Sequence, residues 1–166
     1  MRTSAKLAGA LFLMALATQL VASAQNHRET DADDVREAVV RYQIKTWYLS
    51  VDSYCISVSR KSARKEFLSR FTDNPKVKPA SACAEERRRW GRLRMPTYVT
   101  DKQTRQPAVV FDVGAIRWLS DDTAEVRGSY YCAFRCWAGI TYQVARHDGA
   151  WTVEDFYIEE MSSAPE

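Results

Sequence analysis

"GSYYCAFRCWAGITYQVARHDG", Gly128–Gly149, sets two cysteines four positions apart among residues with strand character. An extended strand rises ~3.3 Å per residue, which would put Cys132 and Cys136 roughly 13 Å apart. A disulfide needs Cα atoms within about 7 Å. The pair can bond only if the chain reverses at Ala133-Phe134-Arg135, a three-residue hairpin loop. That reversal fixes a register in which Tyr131 faces Trp137, Tyr130 faces Ala138, Gly128 faces Ile140, Val126 faces Tyr142 and Ala124 faces Val144. One face then holds Ala124, Val126, Gly128, Tyr130, Ala138, Ile140, Tyr142 and Val144. The other holds Glu125, Arg127, Ser129, Tyr131, Trp137, Thr141 and Gln143. A register chosen only to join two cysteines has sorted apolar from mostly polar side chains. A slip of one residue would scramble both faces.

The compartment follows from the other end of the chain. Arg2 and Lys6 precede the apolar run Leu7–Leu20, and Ala22-Ser23-Ala24 supplies small residues before Gln25. This is the pattern of a secretory signal peptide over residues 1–24. The run is short for a bilayer span of about 20 residues, so no membrane span is expected after cleavage. The expected location is periplasmic or secreted, where cysteines form bonds. Four cysteines permit three pairings, and sequence alone does not choose among them. The hairpin prefers Cys132–Cys136, leaving Cys55 with Cys83. In the chain-entropy picture the longer loop contributes about 3.5 kcal/mol and the tip about 2. The spacing is a poor match to zinc sites and lacks a redox C-x-x-C, so neither a metal nor a cofactor is expected.

Residues 25–30 read as a tail, 31–161 as a single α+β domain, and 162–166 as a second tail. "TDADDVREAVVRYQIKTWYL" opens with Asp31, Asp33 and Asp34, which favour a helix N-terminus. Val35, Ala38, Val39, Tyr42 and Leu49, with Trp47 nearby, form a stripe of helical period. "SYCISVS" reads as a strand and "RKSARKEFLSRF" as a short amphipathic helix. "TDNPKVKPASAC" reads as a loop, and "AEERRRWGRLR" as a solvated helical turn or basic surface loop. From Ala108 the chain reads as a β-meander, with turns at Ser120-Asp121-Asp122 and Asp148-Gly149. The fold class is α+β: an N-terminal helix packed on a curved antiparallel sheet, disulfide-clamped.

Catalytic signatures are few. His27 lies in the tail and His147 beside a turn, and no nucleophile elbow, zincin motif or phosphate loop occurs. Carboxylate chemistry stays open. Extending the meander pairs Trp118 with Ala124, Gly114 with Gly128 and Asp112 with Tyr130. Across Asp148-Gly149, Val153 meets Val144 and Asp155 meets Tyr142. Asp112, Tyr130, Tyr142 and Asp155 would then line one hollow on the core face, with facing glycines leaving room. A bulge near Asp155 would instead turn Phe156 and Ile158 inward and leave both aspartates in solvent. Register is fragile over such distances, so the bulged alternative carries more weight.

Charge is unevenly spread. Arg60–Arg94 carries twelve Lys/Arg against four Asp/Glu, while the rest of the exported chain is net acidic. Arg87, Arg88, Arg89, Arg92 and Arg94 surround Trp90, a composition that can bind anions, although a solvated surface is the commoner outcome.

The runs "AVVFDVGAIRWLSDDTAEVRGSYYC" and "GITYQVARHDGAWTVEDFYI" resemble the C-terminal half of the cone-shaped α+β superfamily of SnoaL-like and nuclear-transport-factor-2-like domains. The shared cues are the strand closing on "DDTAEV" and the strand–DG–strand with Trp after the turn. "YYCAFRC" and "SYCISV…ASAC" also resemble small exported bacterial proteins without assigned function. The resemblance implies a cone that holds a small molecule; some members are isomerases, cyclases or dehydratases, and many are binding or dimerisation modules. The expectation is a non-enzymatic exported module for a small ligand or an envelope partner, with a homodimer allowed and no nucleic acid expected. One alternative is a small cone enzyme with Asp112 or Asp155 as base; another is an anion binder using the segment 60–94.

Overall fold

A computed structural model describes residues 31–47, 50–90, 93–133 and 136–162, with the side chains of 87–97 excepted. The signal-peptide and tail assignments over 1–30 and 163–166 lie outside the described residues, as do Leu49, Arg92 and the Phe134-Arg135 tip. Contacts divide the chain at Asp33/Asp34, and the fold below is that of the unit beginning at Asp34.

Helix α1 spans residues 31–46. Val35, Val39 and Val40 are fully buried, and Ala38, Tyr42 and Trp47 pack against the same core. The helical stripe read from the sequence is therefore the buried face. After it come β1 (Ser53–Val58), β2 (Lys61–Ser62), α2 (Lys65–Leu68), β3 (Val77–Pro79), β4 (Cys83–Trp90), β5 (Leu93–Asp101), β6 (Ala108–Trp118), β7 (Thr123–Ala133), β8 (Cys136–His147) and β9 (Ala150–Met161).

The strands make one curled sheet. β6, β7, β8 and β9 run as an antiparallel meander, and β1 lies beside β6. β2 and β3 also pair with β1. The sheet is mixed, not antiparallel as expected: β1 runs parallel to both β6 and β3. The cause lies in burial. Ser53 to Ser57 are all buried, so β1 is an interior strand covered on both faces, the environment in which parallel pairing is found. The 72–83 segment, expected to be a loop, contributes β3 for the same reason. A second correction concerns 84–94, expected as a helical turn or loop. It forms the antiparallel β4–β5 hairpin, which joins the sheet where Tyr98 pairs with Ala133. Cys83 tethers this hairpin to β1 through Cys55, and Val99 is buried with them.

The β7–β8 register holds at all five expected pairs. Both cysteine pairs are bonded, with Cα separations of 6.2 Å for Cys55–Cys83 and 5.3 Å for Cys132–Cys136. Pairing continues to Ala133↔Cys136, with Cys132 displaced as a bulge.

Two cores flank the sheet. The inner face carries Ile56, Phe111, Val113, Val126, Ile140, Tyr142 and Val144 with α1 and Phe67. On the outer face a smaller cluster joins Cys55, Cys83, Val99 and Ala108, with Tyr131 and Val110 packed on it. Tyr131 is thus covered by the β4–β5 side, as an aromatic on a mostly polar face requires. Asp101 clasps this side shut. Its side chain is 1% exposed and pairs with Lys78 at 2.5 Å. It also accepts Ser53 Oγ at 2.8 Å and the N–H groups of Gln103 and Thr104 at 2.8 and 3.0 Å.

Lys78, helped by Thr104 N–H and Ser53, holds the Asp101 carboxyl well below the usual range. A depressed folded-state value means the clasp stabilises at pH above the unfolded value near ~3.9 and fades as pH falls below it. Asp101→Asn is expected to cost about 3 kcal/mol at neutral pH, because Lys78 loses its partner. It should also flatten the acid limb below about pH 4. Urea midpoints from pH 7 to pH 3 check this, and an acid limb as steep as the parent's would contradict it.

Candidate functional site

The four residues expected to converge do not share a face. Tyr130 and Tyr142 lie on the inner face; Asp112 and Asp155 lie on the outer one. Two bulges are responsible. In β6 an extra residue falls between Val113 and Ile116, so Phe111, not Asp112, faces Tyr130, and Val113, not Gly114, faces Gly128. In β9 an extra residue near Glu154 puts Asp155 opposite Gln143 and Phe156 opposite Tyr142. The bulged alternative holds in part: Phe156 packs into the core and Asp155 is exposed, but Ile158, though opposite Ile140, remains 39% exposed, and Asp112 is half-buried and hydrogen-bonded rather than left in solvent.

The inner hollow is filled by the protein itself. Tyr42, Trp47, Tyr130, Tyr142 and Phe156 form a chain of ring contacts with centroids 5.3–6.4 Å apart. Trp47 donates to the Tyr142 hydroxyl at 3.3 Å. Burial pushes the Tyr142 phenol up to about 12 and raises that of Tyr130. Gln43, also fully buried, donates to the Ser129 carbonyl at 3.4 Å. Gly128 makes this packing possible: a Cβ there would lie 2.8 Å from the Tyr142 ring and 3.0 Å from Gln43 Nε2.

The open space lies on the outer face. A groove of about 440 Å³ is lined by Arg60, Asp112, Arg127, Ser129, Glu159 and Glu160, over the glycines Gly114, Gly128 and Gly139. The bulges build it. In β6, Gly114 and Ala115 both face outward opposite Arg127; in β9 a further irregularity at Glu159 turns Glu159 and Glu160 outward together. Bulges re-aim side chains in this way beside binding sites. A second hollow of about 230 Å³ continues past Arg127 to Tyr157 and Thr141.

The charges in the groove divide by function. Asp112 Oδ1 accepts the Ser57 hydroxyl and, at 2.8 Å, the Arg60 N–H. It thereby holds the β1–β2 turn, whose central residues Ser59 and Arg60 have φ of 51° and 63°. Glu159 accepts two N–H groups of Arg127 and the Thr141 hydroxyl at 2.6 Å. Those donors, Arg127 first, hold its carboxyl below the usual range. Asp155 accepts its neighbour Phe156 N–H at 2.8 Å. His147 meets Glu154 at 2.9 Å on the surface, as expected of a surface histidine. Among the described residues no three His, Cys, Asp or Glu side chains gather as a metal would require. Arg87, Arg88 and Arg89 lie on β4 and Arg94 on β5, and their side chains lie outside those described.

Sequence reasoning missed Arg60, Arg127, Glu159 and Glu160. The legible signal was Gly139, a glycine in mid-strand with no turn to serve, together with the Glu159-Glu160 pair that breaks the alternation of β9. No family model, curated protein or solved structure matches the chain.

The two strand glycines should respond oppositely to alanine. Gly128→Ala forces a methyl against Tyr142 and Gln43 and is expected to cost about 2 kcal/mol. Gly139→Ala meets nothing within 4 Å and should hold or raise stability, by up to about 1 kcal/mol. Denaturant unfolding of the two variants checks this; equal losses would contradict the assignment of faces.

Proposed function

We propose that the protein is an exported binding module that takes a small ligand or an envelope component in the outer groove and does no chemistry on it. The observation that carries this reading is Gly139. Glycine inside a strand is destabilising by roughly 0.5–1 kcal/mol relative to alanine. Its usual reasons are a left-handed backbone, a bulge, a tight bend, a close internal neighbour, or a ligand or other backbone that approaches closely. Gly139 has no positive φ and no atom within 4 Å of where a Cβ would be. It stands at the β8–β9 register shift that turns Glu159 and Glu160 outward, and the space over it opens into the groove, so a bulge and room for a close approach from outside the chain coincide there.

Periplasmic or secreted location is part of the same reading. The two disulfides support it, and no helix among the described residues is long and apolar enough to cross a membrane. We propose further that the domain is related to the SnoaL-like and nuclear-transport-factor-2-like domains. A helix on the inner face of a curled sheet suits it, while the filled hollow moves the binding surface to the opposite face. The enzyme alternative loses its convergent pair: Asp112 is engaged in holding a turn, and Asp155 stands several rows away, beside Gln143.

Gly139→Trp fills the groove from a position with room for the side chain. Thermal unfolding against a panel of amino acids, peptides, sugars and glycan fragments should yield a compound that stabilises the native protein, by about 2.7 kcal/mol at a hundredfold excess over Kd. The same compound should leave Gly139→Trp unshifted. A compound that stabilises both proteins equally, or a panel in which nothing stabilises the native protein, counts against the groove.

A further inference from the structure

We infer that the groove takes a short zwitterion, a di- or tripeptide with free ends, whose carboxylate meets Arg60 and whose ammonium meets Glu160. This rests on the groove being a binding site, and it names the ligand class.

Five charged residues line the groove, and three of them are already engaged. Arg127 and Glu159 satisfy each other, with Thr141 added. Asp112 is committed to Ser57 and to the backbone of Arg60. The Arg60 guanidinium donates no hydrogen bond among the described residues. Glu160 accepts none and acts on Arg127 only through space. The groove therefore presents one available cation and one available carboxylate.

They stand at opposite ends. Arg60 belongs to the β1–β2 turn, held against β6 by Asp112 and by the bond from Ser59 N–H to the Val113 carbonyl at 2.9 Å. Glu160 lies on β9, opposite Gly139. β6, β7 and β8 lie between them, so the two backbones are roughly four strand spacings, ~19 Å, apart. Both side chains line the groove. The span left suits two or three extended residues at ~3.3–3.6 Å each. The floor between them is Gly114, Ala115, Gly128, Ser129 and Gly139, small enough for a peptide backbone to lie close.

The turn itself points to Arg60. Two consecutive residues with positive φ are most readily Asn-Gly, and a larger side chain there is disfavoured. Ser59-Arg60 accepts that strain, and Asp112 offsets it by accepting the Arg60 N–H. What this turn has that Asn-Gly would lack is a guanidinium over the groove. A guanidinium pairs with a carboxylate through two parallel hydrogen bonds.

The experiment is calorimetric titration of the native protein with triglycine, N-acetyl-triglycine and triglycine amide. Triglycine should bind, and each capped form should bind at least tenfold more weakly. Arg60→Gln should erase the difference between triglycine and its amide. Glu160→Gln should erase the difference between triglycine and its acetyl form. Both side chains are at the surface, and circular dichroism confirms that the variants fold. Equal binding of all three peptides, or none by triglycine, overturns the inference. If triglycine fails while another compound binds the native protein and not Gly139→Trp, the binding-module reading stands and the zwitterion falls. Triglycine binding that survives Gly139→Trp overturns both.

Discussion

The absence of a side chain at Gly128 governs which face of this protein is open. Tyr142 and Gln43 occupy the space a Cβ would need. Seated there, Gln43 brings α1 down onto β7, and Tyr142 becomes the centre of an aromatic cluster that extends to Trp47 and Phe156. Burying a large apolar side chain contributes about 1.5–3 kcal/mol, and several are buried here at once. The inner face is thereby committed to stability. The helix and the rings packed on it fill that face, and the groove lies on the outer one.

The outer face is shaped by departures from regular pairing. A perfect strand alternates, so each row of the sheet would present one outward residue per strand. The β6 bulge presents Gly114 and Ala115 together, and the β9 irregularity presents Glu159 and Glu160 together. The first widens the floor; the second doubles the charge at one wall. Beyond the row of Ser129, the cluster around the Cys55–Cys83 bond and Tyr131 occupies the same face, beneath the β4–β5 side. The buried Asp101–Lys78 pair keeps that hairpin in place. Removing one member of such a pair is costly because the other is left without compensation, so this clasp and the disulfide act as a double fastening.

What the sequence disclosed was local and periodic. Two cysteines and a turn were enough to set β7 against β8 over five pairs, because disulfide geometry and alternation constrain the same register. The buried stripe of α1 was legible for the same reason. The mixed sheet was harder to read: "SYCIS" alternates like a half-exposed strand, yet Ser53 and Ser57 are buried by a parallel neighbour distant in sequence. The arginine run at 87–89 hid a strand whose pairing is set by Cys83 and Val99. The bulges were the decisive omission. One extra residue in β6 and one in β9 moved Asp112 and Asp155 away from the tyrosines, and nothing local marks a bulge except a glycine such as Gly114 or a doubled acidic pair such as Glu159-Glu160. Those two marks lie in the groove.

The central claim is that the inner face is closed by the protein's own side chains and the outer groove is open. Nuclear magnetic resonance with a neutral, soluble paramagnetic agent tests it without any ligand, because relaxation grows with access to solvent. The account predicts strong enhancement at the Cα protons of Gly114 and Gly139 and at the Arg60 turn, with the Gln43 side-chain amide and the Tyr142 ring little affected. Strong enhancement at Gln43 and Tyr142 with protected Gly114 and Gly139 would contradict it, and would return the site to the inner face.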